Sequence, residues 1–527
     1  MRRLSPFLRA ATAATARRQL QPQLQAISHF KGCYSYSTVS GEAPLSSWPP
    51  KPSKPLRILF CGSDDFSCEA LRALHAEHRR NADLIRSIDV LVRPAKPTGR
   101  GLKVVRQPPP RILAQELGLA VHERDTFTGW EMPHPGGEPI NLIVAVSFGL
   151  LVPKRLLRAA YYGGLNVHPS LLPDLRGPAP LHHALLAGRT HTGVSLQTLA
   201  EDKFDAGAIL AQTSRPGLAI PGGCTVEQLH ALLAPLGASM LVAGLRAGVH
   251  VPPVIAVVPP ERRTGLIPRA PLLHAPKITP AHRQVPWVPI PSGGPGPSAQ
   301  DVARRAHVLG QLWTHARPSH TGLKMRMILD GVDVAPRDEW PADAAAFARL
   351  AAAQLREKQQ QQQRQRETNP SQTQPQSKKK RKNRVPEIEI DLDQIRAAGG
   401  SLADKPLKTV TWLQMPVADP TGSTNDARDE ALVEVRTPYF VDDAAGGGRR
   451  GAVLVPMAGG GGGGGGGGFL RIRAIKAEGD RSRAAVEAIR AFTEEEPVDS
   501  GLVSFFDGDV FQLLDPLTSW FEDLDVF

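Results

Sequence analysis

The chain has 527 residues, of which 41% are hydrophobic and 22% are charged. This length exceeds what one compact core normally organises, and the composition excludes a chain that is disordered throughout. The 49 glycines and 49 prolines exceed average usage and indicate low-complexity insertions between globular parts. The formal net charge of +12 favours a polyanionic partner such as nucleic acid, although basic tails and tracts could carry that charge instead.

The cysteines and the apolar runs set two further expectations. Cys33, Cys61, Cys68 and Cys224 show neither a C-x-x-C pair nor the spacing of a metal site, which favours free thiols in a reducing compartment. We therefore expect no metal. Because no apolar run approaches the length that a bilayer span needs, we expect no membrane partner.

The N-terminal segment differs in composition from the rest of the chain. Residues 1–41 contain no Asp or Glu, and their basic residues are spread among Ala, Ser, Thr and Leu. These basic residues are Arg2, Arg3, Arg9, Arg17, Arg18 and Lys31. A leader of this kind is typical of mitochondrial presequences, with a disordered basic tail as the alternative. We expect a presequence over 1–41 and a location in the mitochondrial matrix.

Strand and helix patterns alternate after a Pro-rich linker over 42–55. The strand candidates are LRILF (Leu56–Phe60), IDVLV (Ile88–Val92), NLIVAVSF (Asn141–Phe148), GGLNVH (163–168) and TGVSLQTL (192–199). Helical spacing of apolar residues occurs over 65–78, 111–119, 153–161 and 225–248, with Ser63 or Asp64 as the cap of the first and Thr225 as the cap of the last. This alternation predicts an α/β fold, a doubly wound, mostly parallel sheet over 56–255.

A smaller domain is expected beyond a linker and connecting helix over 256–320. Three strand-like segments, over 323–332, 432–441 and 468–479, predict a β domain spanning 321–495. A Gln-rich and basic tract marks an insert over 354–386, and ten consecutive glycines mark another over 444–468. Such tracts cannot form a core, so we expect disordered surface loops there, and an acidic tail over 496–527.

The stretch GGLNVHPSLLPDLRGPAP (163–180) carries the first chemical signal. Its prolines exclude a helix interior or a central strand, which leaves a rigid loop that follows a strand. The spacing of Asn166 and His168 places both side chains on one side of that strand, at the edge where doubly wound sheets bind ligands. An amide beside an imidazole suits the stabilisation of a negatively charged oxygen in an acyl-type transition state.

A carboxylate for this site is offered by Asp205 in EDKFDAGAIL. Since no Ser or Cys nucleophile accompanies these residues, the substrate is expected to supply its own, and an amine is the natural candidate. Each residue has a structural alternative: His168 could be a hydrogen-bonded loop residue, and Asp205 could cap the following segment. Nothing distinguishes His182, His183 and His191 from ordinary histidines.

Together these segments resemble the N10-formyltetrahydrofolate-dependent formyltransferase family. The shared marks are the Asn-x-His pair, the Ser-Leu-Leu-Pro turn, the Arg-Gly-x-x-Pro segment and an Asp shortly before a Gly. The resemblance implies a Rossmann-like sheet with a C-terminal OB-like β-barrel, 10-formyltetrahydrofolate as co-substrate and no metal. It also implies the site residues. Asn166, His168 and Asp205 would be catalytic, and Ser170, Leu171, Leu172 and Pro173 would form the folate-facing turn.

Within this family the chain resembles the members that formylate methionyl-tRNA. The basic stretch RPAKPTGRGLKVVR is similar to the loop that they place against the tRNA acceptor end. The resemblance implies that Arg93, Lys96, Arg100 and Lys103 contact the acceptor stem of initiator methionyl-tRNA, in a monomer that serves mitochondrial translation initiation. Two alternatives stay open: a formyltransferase acting on a small amine such as glycinamide ribonucleotide, and a catalytically decayed RNA-binding protein of the same fold.

Overall fold

The structure, a computed structural model, divides into two compact units, Met1–Lys277 and Ile278–Phe527. The described residues are 51–98, 101, 104–256, 272–287, 297–319, 324–351, 353, 388–391, 407–414, 433–442, 451–457, 468–496 and 502–505. The expected presequence over 1–41 and the expected insert over 354–386 lie outside them. So does the acidic tail, apart from its first residue and a short strand, Leu502–Phe505.

A seven-stranded sheet forms the centre of the first unit. In chain order its strands are β1 (Leu56–Gly62), β2 (Ile85–Val92), β3 (Ala120–Glu123), β4 (Leu142–Val146), β5 (Gly164–His168), β6 (Ser195–Thr198) and β7 (Ile209–Gln212). Their order across the sheet is β7-β6-β5-β4-β1-β2-β3. The strands β1 to β5 pair in parallel, and β6 and β7 extend the sheet in antiparallel fashion. The predicted doubly wound, mostly parallel sheet is confirmed.

Within the part of the first unit that the structure describes, five α-helices accompany this sheet. They are α1 (Asp65–Arg80), α2 (Pro109–Glu116), α3 (Lys154–Ala159), α4 (Pro180–Leu186) and α5 (Val226–Ala247). Asp64 and Thr225 cap α1 and α5 as the sequence predicts, each accepting a bond from the backbone N–H three residues on. These two helices pack together, and the buried Glu77 of α1 accepts hydrogen bonds from Arg246 of α5.

The helix α5 corrects one expectation from the sequence. By length and composition alone it is apolar enough to cross a bilayer, whereas the sequence analysis found no run of sufficient length. Buried residues along α5, among them Leu229, Leu233 and Leu241, pack into the core of the first unit. A core helix needs the same apolar composition as a membrane span, so composition cannot separate the two.

The second unit contains a nine-stranded antiparallel sheet, which confirms a smaller C-terminal β domain. Its end strands, Val433–Pro438 and Phe440–Asp442, are joined by one residue, so the sheet closes on itself. The core includes Trp287 stacked on Trp412, with ring centroids 4.5 Å apart. The helix Ala299–Leu309, which the sequence placed in a linker, lies in this unit.

One segment of the second unit differs from the sequence prediction. Ala452–Pro456 is a buried strand that pairs with a strand on each side, although it falls within the insert predicted over 444–468. The apolar run AVLVP has the length and composition of a buried strand. It lies just before the glycine tract, whose composition predicts a loop.

Candidate active site

Asn166 and His168 lie at the carboxyl end of β5, beside the strands β4 and β6. The register places Asn166 opposite Gln197 of β6 and His168 opposite Ser195. His168 is 5% exposed, and Asn166 is half-buried. The strand therefore presents an amide and an imidazole at the sheet edge where α/β proteins bind ligands.

Asp205 reaches the same place from the loop between β6 and β7. Its Oδ1 accepts a hydrogen bond from Asn166 Nδ2 at 3.2 Å and lies 3.5 Å from His168 Nδ1. The other carboxylate oxygen, Oδ2, accepts a bond from the backbone N–H of Gly177 at 2.9 Å. The structure thus brings the three predicted catalytic side chains into one cluster, although Asn166 and Asp205 are 39 positions apart in the chain.

The backbone around Asp205 explains why a glycine follows it at Gly207. Asp205 has a φ of 52°, in the left-handed region. Two residues later, a Cβ on Gly207 would stand 1.7 Å from the carbonyl oxygen of Thr198. The loop is also tied to Thr198 by hydrogen bonds to and from Ala208, each 2.9 Å long. Only glycine permits this approach, which fixes the position of the Asp205 carboxylate.

The imidazole of His168 is held from both sides. Its Nε2 lies 3.0 Å from the backbone carbonyl oxygen of Leu175, while Nδ1 faces Asp205. Leu175 is buried and has a φ of 58°, and its N–H donates to the carbonyl oxygen of Leu273 at 2.7 Å. The loop that follows β5 therefore orients the ring.

The Ser-Leu-Leu-Pro turn is built largely from buried groups. Ser170 is fully buried and its hydroxyl donates to the carbonyl oxygen of Asp174 at 2.7 Å. The buried Leu172 bonds through its backbone to the side chains of Ser195 and Gln212. In this turn, Leu171 and Pro173 are the half-buried side chains. Ser170 and Leu172 therefore hold the shape of the turn rather than present a surface.

The basic stretch forms a hairpin where the sequence predicted a loop. Lys96–Thr98 pairs with Val104–Arg106, and Lys96 lies opposite Arg106. Arg93 donates to Asp125 Oδ1 at 2.9 Å and 2.5 Å, and this contact holds the pKa of that carboxyl below its usual value. The predicted contacts Arg100 and Lys103 lie outside the described residues.

Two contacts with Asp205 were not found from the sequence. Gln197 Nε2 donates to Asp205 Oδ1 at 3.2 Å, and the backbone N–H of Gly177 donates to Oδ2. The available signal for Gln197 was a long polar residue within the apolar strand SLQTL. Among the described residues, no group of three or more His, Cys, Asp or Glu side chains is placed to hold a metal ion.

Comparisons with known proteins agree with this geometry. Residues 56–245 match the family model described as formyl transferase. Mitochondrial methionyl-tRNA formyltransferase of Homo sapiens is 39% identical over 193 residues, covering 36% of this chain and 45% of that protein. The Saccharomyces cerevisiae protein of the same name is 41% identical over 178 residues, covering 31% and 44%. Methionyl-tRNA formyltransferase of Paracoccus denitrificans is 36% identical over 194 residues, covering 36% and 60%.

The chain therefore spans about half the length of these relatives. The matched part of the chain contains β1 to β7, both capped helices and the Asn166, His168 and Asp205 cluster. The resemblance noted in the sequence is confirmed, because residues 56–245 match the formyl transferase family model and the relatives named above bear the name methionyl-tRNA formyltransferase.

Proposed function

We propose that this chain transfers the formyl group of 10-formyltetrahydrofolate to the α-amino group of initiator methionyl-tRNA, for translation initiation in the mitochondrial matrix. The observation that carries the proposal is the cluster of Asn166, His168 and Asp205 at the carboxyl edge of the sheet. The mitochondrial relatives named above support both the acceptor and the location.

Asn166 is proposed to stabilise the oxygen that becomes negatively charged. The neutral α-amine attacks the formyl carbon, a C–N bond forms, and the carbonyl oxygen gains charge. Asn166 Nδ2 carries two hydrogens, of which one is directed to Asp205. The second is available to the developing oxyanion, a donor whose loss typically costs about 10²–10³ in turnover.

His168 and Asp205 are proposed to manage the proton. The amine must lose a proton after attack, and N10 of tetrahydrofolate must gain one as its bond to the formyl carbon breaks. Both ring nitrogens of His168 face acceptors within the chain, so Asp205 is proposed to accept or relay this proton while the imidazole stabilises the oxyanion. Asp205 keeps the ring in place, because it lies beside Nδ1 and is itself held by three donors.

The proposed folate-facing and tRNA-facing surfaces both lie in the first unit. The half-buried Leu171 and Pro173 offer an apolar wall for the folate rings, on a turn that Ser170 and Leu172 make rigid. The basic hairpin offers Lys96, whose side chain is 58% exposed, to the phosphates of the acceptor stem. Arg93, Arg100 and Lys103 complete the proposed tRNA contact, and the active form is a monomer.

The deciding experiment offers two acceptors separately. The protein is incubated with 10-formyltetrahydrofolate and either methionyl initiator tRNA or glycinamide ribonucleotide, and the formylated product is measured. We expect formylmethionyl-tRNA and no formylated glycinamide ribonucleotide. The opposite result would replace the proposed acceptor by the small amine. A protein that binds tRNA but formylates neither acceptor would contradict the proposed enzymatic activity.

A further inference from the structure

Gln197 is a buried polar residue whose side chain enters the active site. It lies on β6 directly opposite Asn166 of β5, and it is 1% exposed. Its Nε2 donates to Asp205 Oδ1 at 3.2 Å, the same oxygen that accepts from Asn166 at 3.2 Å. Two amides from neighbouring strands therefore converge on one carboxylate oxygen.

The oxygen end of the Gln197 amide is unpaired within the part of the chain that the structure describes. Its Oε1 is shielded from solvent and finds no donor among the described residues. A buried acceptor without a donor destabilises the folded state. Rotating the amide by half a turn would not stabilise the protein, because Oε1 would then face the Asp205 carboxylate and be repelled by it. The observed orientation is thus the one that Asp205 requires.

Because the unpaired Oε1 destabilises the protein, we look for a role of the Gln197 side chain in its contact with Asp205. Asp205 receives donors from Asn166, from Gln197 and from the backbone of Gly177. The Gly177 bond holds Oδ2, while Oδ1 is the oxygen 3.5 Å from His168 Nδ1. Gln197 therefore acts on the oxygen that faces the imidazole, and it limits rotation of the carboxylate away from the ring.

We propose that Gln197 is a positioning residue for formyl transfer: it fixes the Asp205 carboxylate against Asn166 and His168, and the chain retains it at the expense of stability. The proposal rests on the function proposed above. It assigns the precision of the Asn166, His168 and Asp205 cluster partly to a fourth side chain, one that contacts neither the formyl group nor the amine.

Gln197→Met tests the proposal, because methionine has a similar length and offers no amide. Steady-state rates, melting temperature and a crystal structure are measured for the variant. We expect kcat to fall about 10- to 100-fold, as for loss of a hydrogen bond to a charged group. KM should change little, the melting temperature should stay the same or rise, and Asp205 should rotate away from Asn166.

Gln212→Met is the matched control. Gln212 is also a buried glutamine, on the adjacent strand β7, but it bonds to the carbonyl oxygen of Leu172 and to Ser195 Oγ. Its loss should lower the melting temperature and raise KM for the folate, because it supports the Ser-Leu-Leu-Pro turn. The orientation of Asp205 should stay as in the wild type.

A charged variant gives a second signature. Gln197→Glu places a carboxylate against Asp205 Oδ1, and the like charge raises the pKa of one group of the pair, which shares a proton only below that pKa. We expect kcat to be low at neutral pH and to recover partly as the pH falls and the pair shares a proton. The pH dependence of Gln212→Met should match that of the wild type.

The outcomes separate this inference from the proposed function. Wild-type kcat in Gln197→Met, or an unmoved Asp205 in its crystal structure, would overturn the positioning role. A fall in melting temperature together with a raised KM, as in a general structural defect, would do the same. If the wild type formylates no methionyl-tRNA, the proposed acceptor fails, while the orientation of Asp205 in the variant still decides the role of Gln197.

Discussion

The proposed catalytic cluster and the basic hairpin are both polar regions of the first unit, but the protein holds them in opposite ways. Asn166, His168 and Asp205 are hydrogen-bonded within the chain, and the side chains of His168 and Asp205 are 7% and 10% exposed. In the hairpin region, the side chains of Lys96 and Asp125 are 58% and 55% exposed. One region is fixed by its contacts, and the other presents charge to solvent.

This difference follows from what each region is proposed to do. Stabilising an oxyanion requires donors at the right distance before the reaction begins, so the donors must be buried and over-determined. Attracting a phosphate backbone requires only cations near the surface, because the interaction extends over about a Debye length of 8–10 Å. The cluster should therefore be sensitive to shape, and the hairpin should be sensitive to salt.

The largest effect is expected from the cluster itself. Replacing Asn166 or His168 by Ala removes a donor to the proposed oxyanion, which should lower turnover about 10²–10³-fold with the fold intact. Single-turnover rates and circular dichroism check this expectation. His191→Ala serves as the control, because His191 is exposed and its ring is hydrogen-bonded to the neighbouring Thr190 hydroxyl. A folded Asn166 or His168 variant with near-normal turnover would remove that residue from the mechanism.

A change of shape that leaves every polar side chain in place should have the next largest effect. A Cβ on Gly207 would meet the carbonyl oxygen of Thr198, so Gly207→Ala should displace the loop that carries Asp205. A misplacement of 1 Å at a catalytic group costs about 10² in rate. Turnover is the measurement, with intact folding shown by circular dichroism.

Gly222→Ala is the matched control for this loop. A Cβ on Gly222 would meet no atom within 4 Å, and Gly222 lies in the same unit. It should keep wild-type turnover. Equal rates for Gly207→Ala and Gly222→Ala would show that the Asp205 loop tolerates displacement, and that the cluster is less dependent on shape than the comparison implies.

The sequence predicted the sheet of the first unit because its signals are local. Apolar runs such as NLIVAVSF mark strands covered on both faces, and a side chain such as Asp64 or Thr225 marks a helix start. The sequence also predicted that β5 ends at a rigid loop, because the prolines that mark this loop are a local signal. The sequence offered Asp205 as the carboxylate of this site, but only the family resemblance assigned it a role beside Asn166 and His168, since nothing local to Asp205 indicates its partners.

What the sequence did not predict depends on pairing across the chain. Gln197 is a single polar residue in a strand, and only the register with β5 shows that it faces Asp205. Asp125 stands 32 positions from Arg93, so their contact has no local signature. The sequence did not predict the hairpin, because Pro97 and the nearby glycines weaken the local strand pattern. The two strands are recognised only from their pairing, in which Lys96 lies opposite Arg106.

The smallest effects are expected at the hairpin, and two charge changes there should act in opposite directions. Lys96→Gln removes a cation that is proposed to meet a phosphate, so tRNA binding should weaken and its log–log salt slope should fall by about 0.9. Asp125→Asn removes the anion that pairs with Arg93, so tRNA binding should tighten and become more dependent on salt. Dissociation constants for initiator tRNA, measured between about 50 and about 200 mM salt, give both quantities.

The charge of Asp125 does not vary with pH in the range of this measurement. Arg93 lowers the pKa of Asp125, so this carboxylate stays ionised throughout the neutral range and its charge is constant in the wild type. Turnover at saturating tRNA should change little in either variant, because neither side chain belongs to the proposed catalytic cluster. A loss of turnover comparable with that of Gly207→Ala would mean that the hairpin also positions the reacting amine, and the division between a region fixed by contacts and a region that attracts by charge would no longer hold.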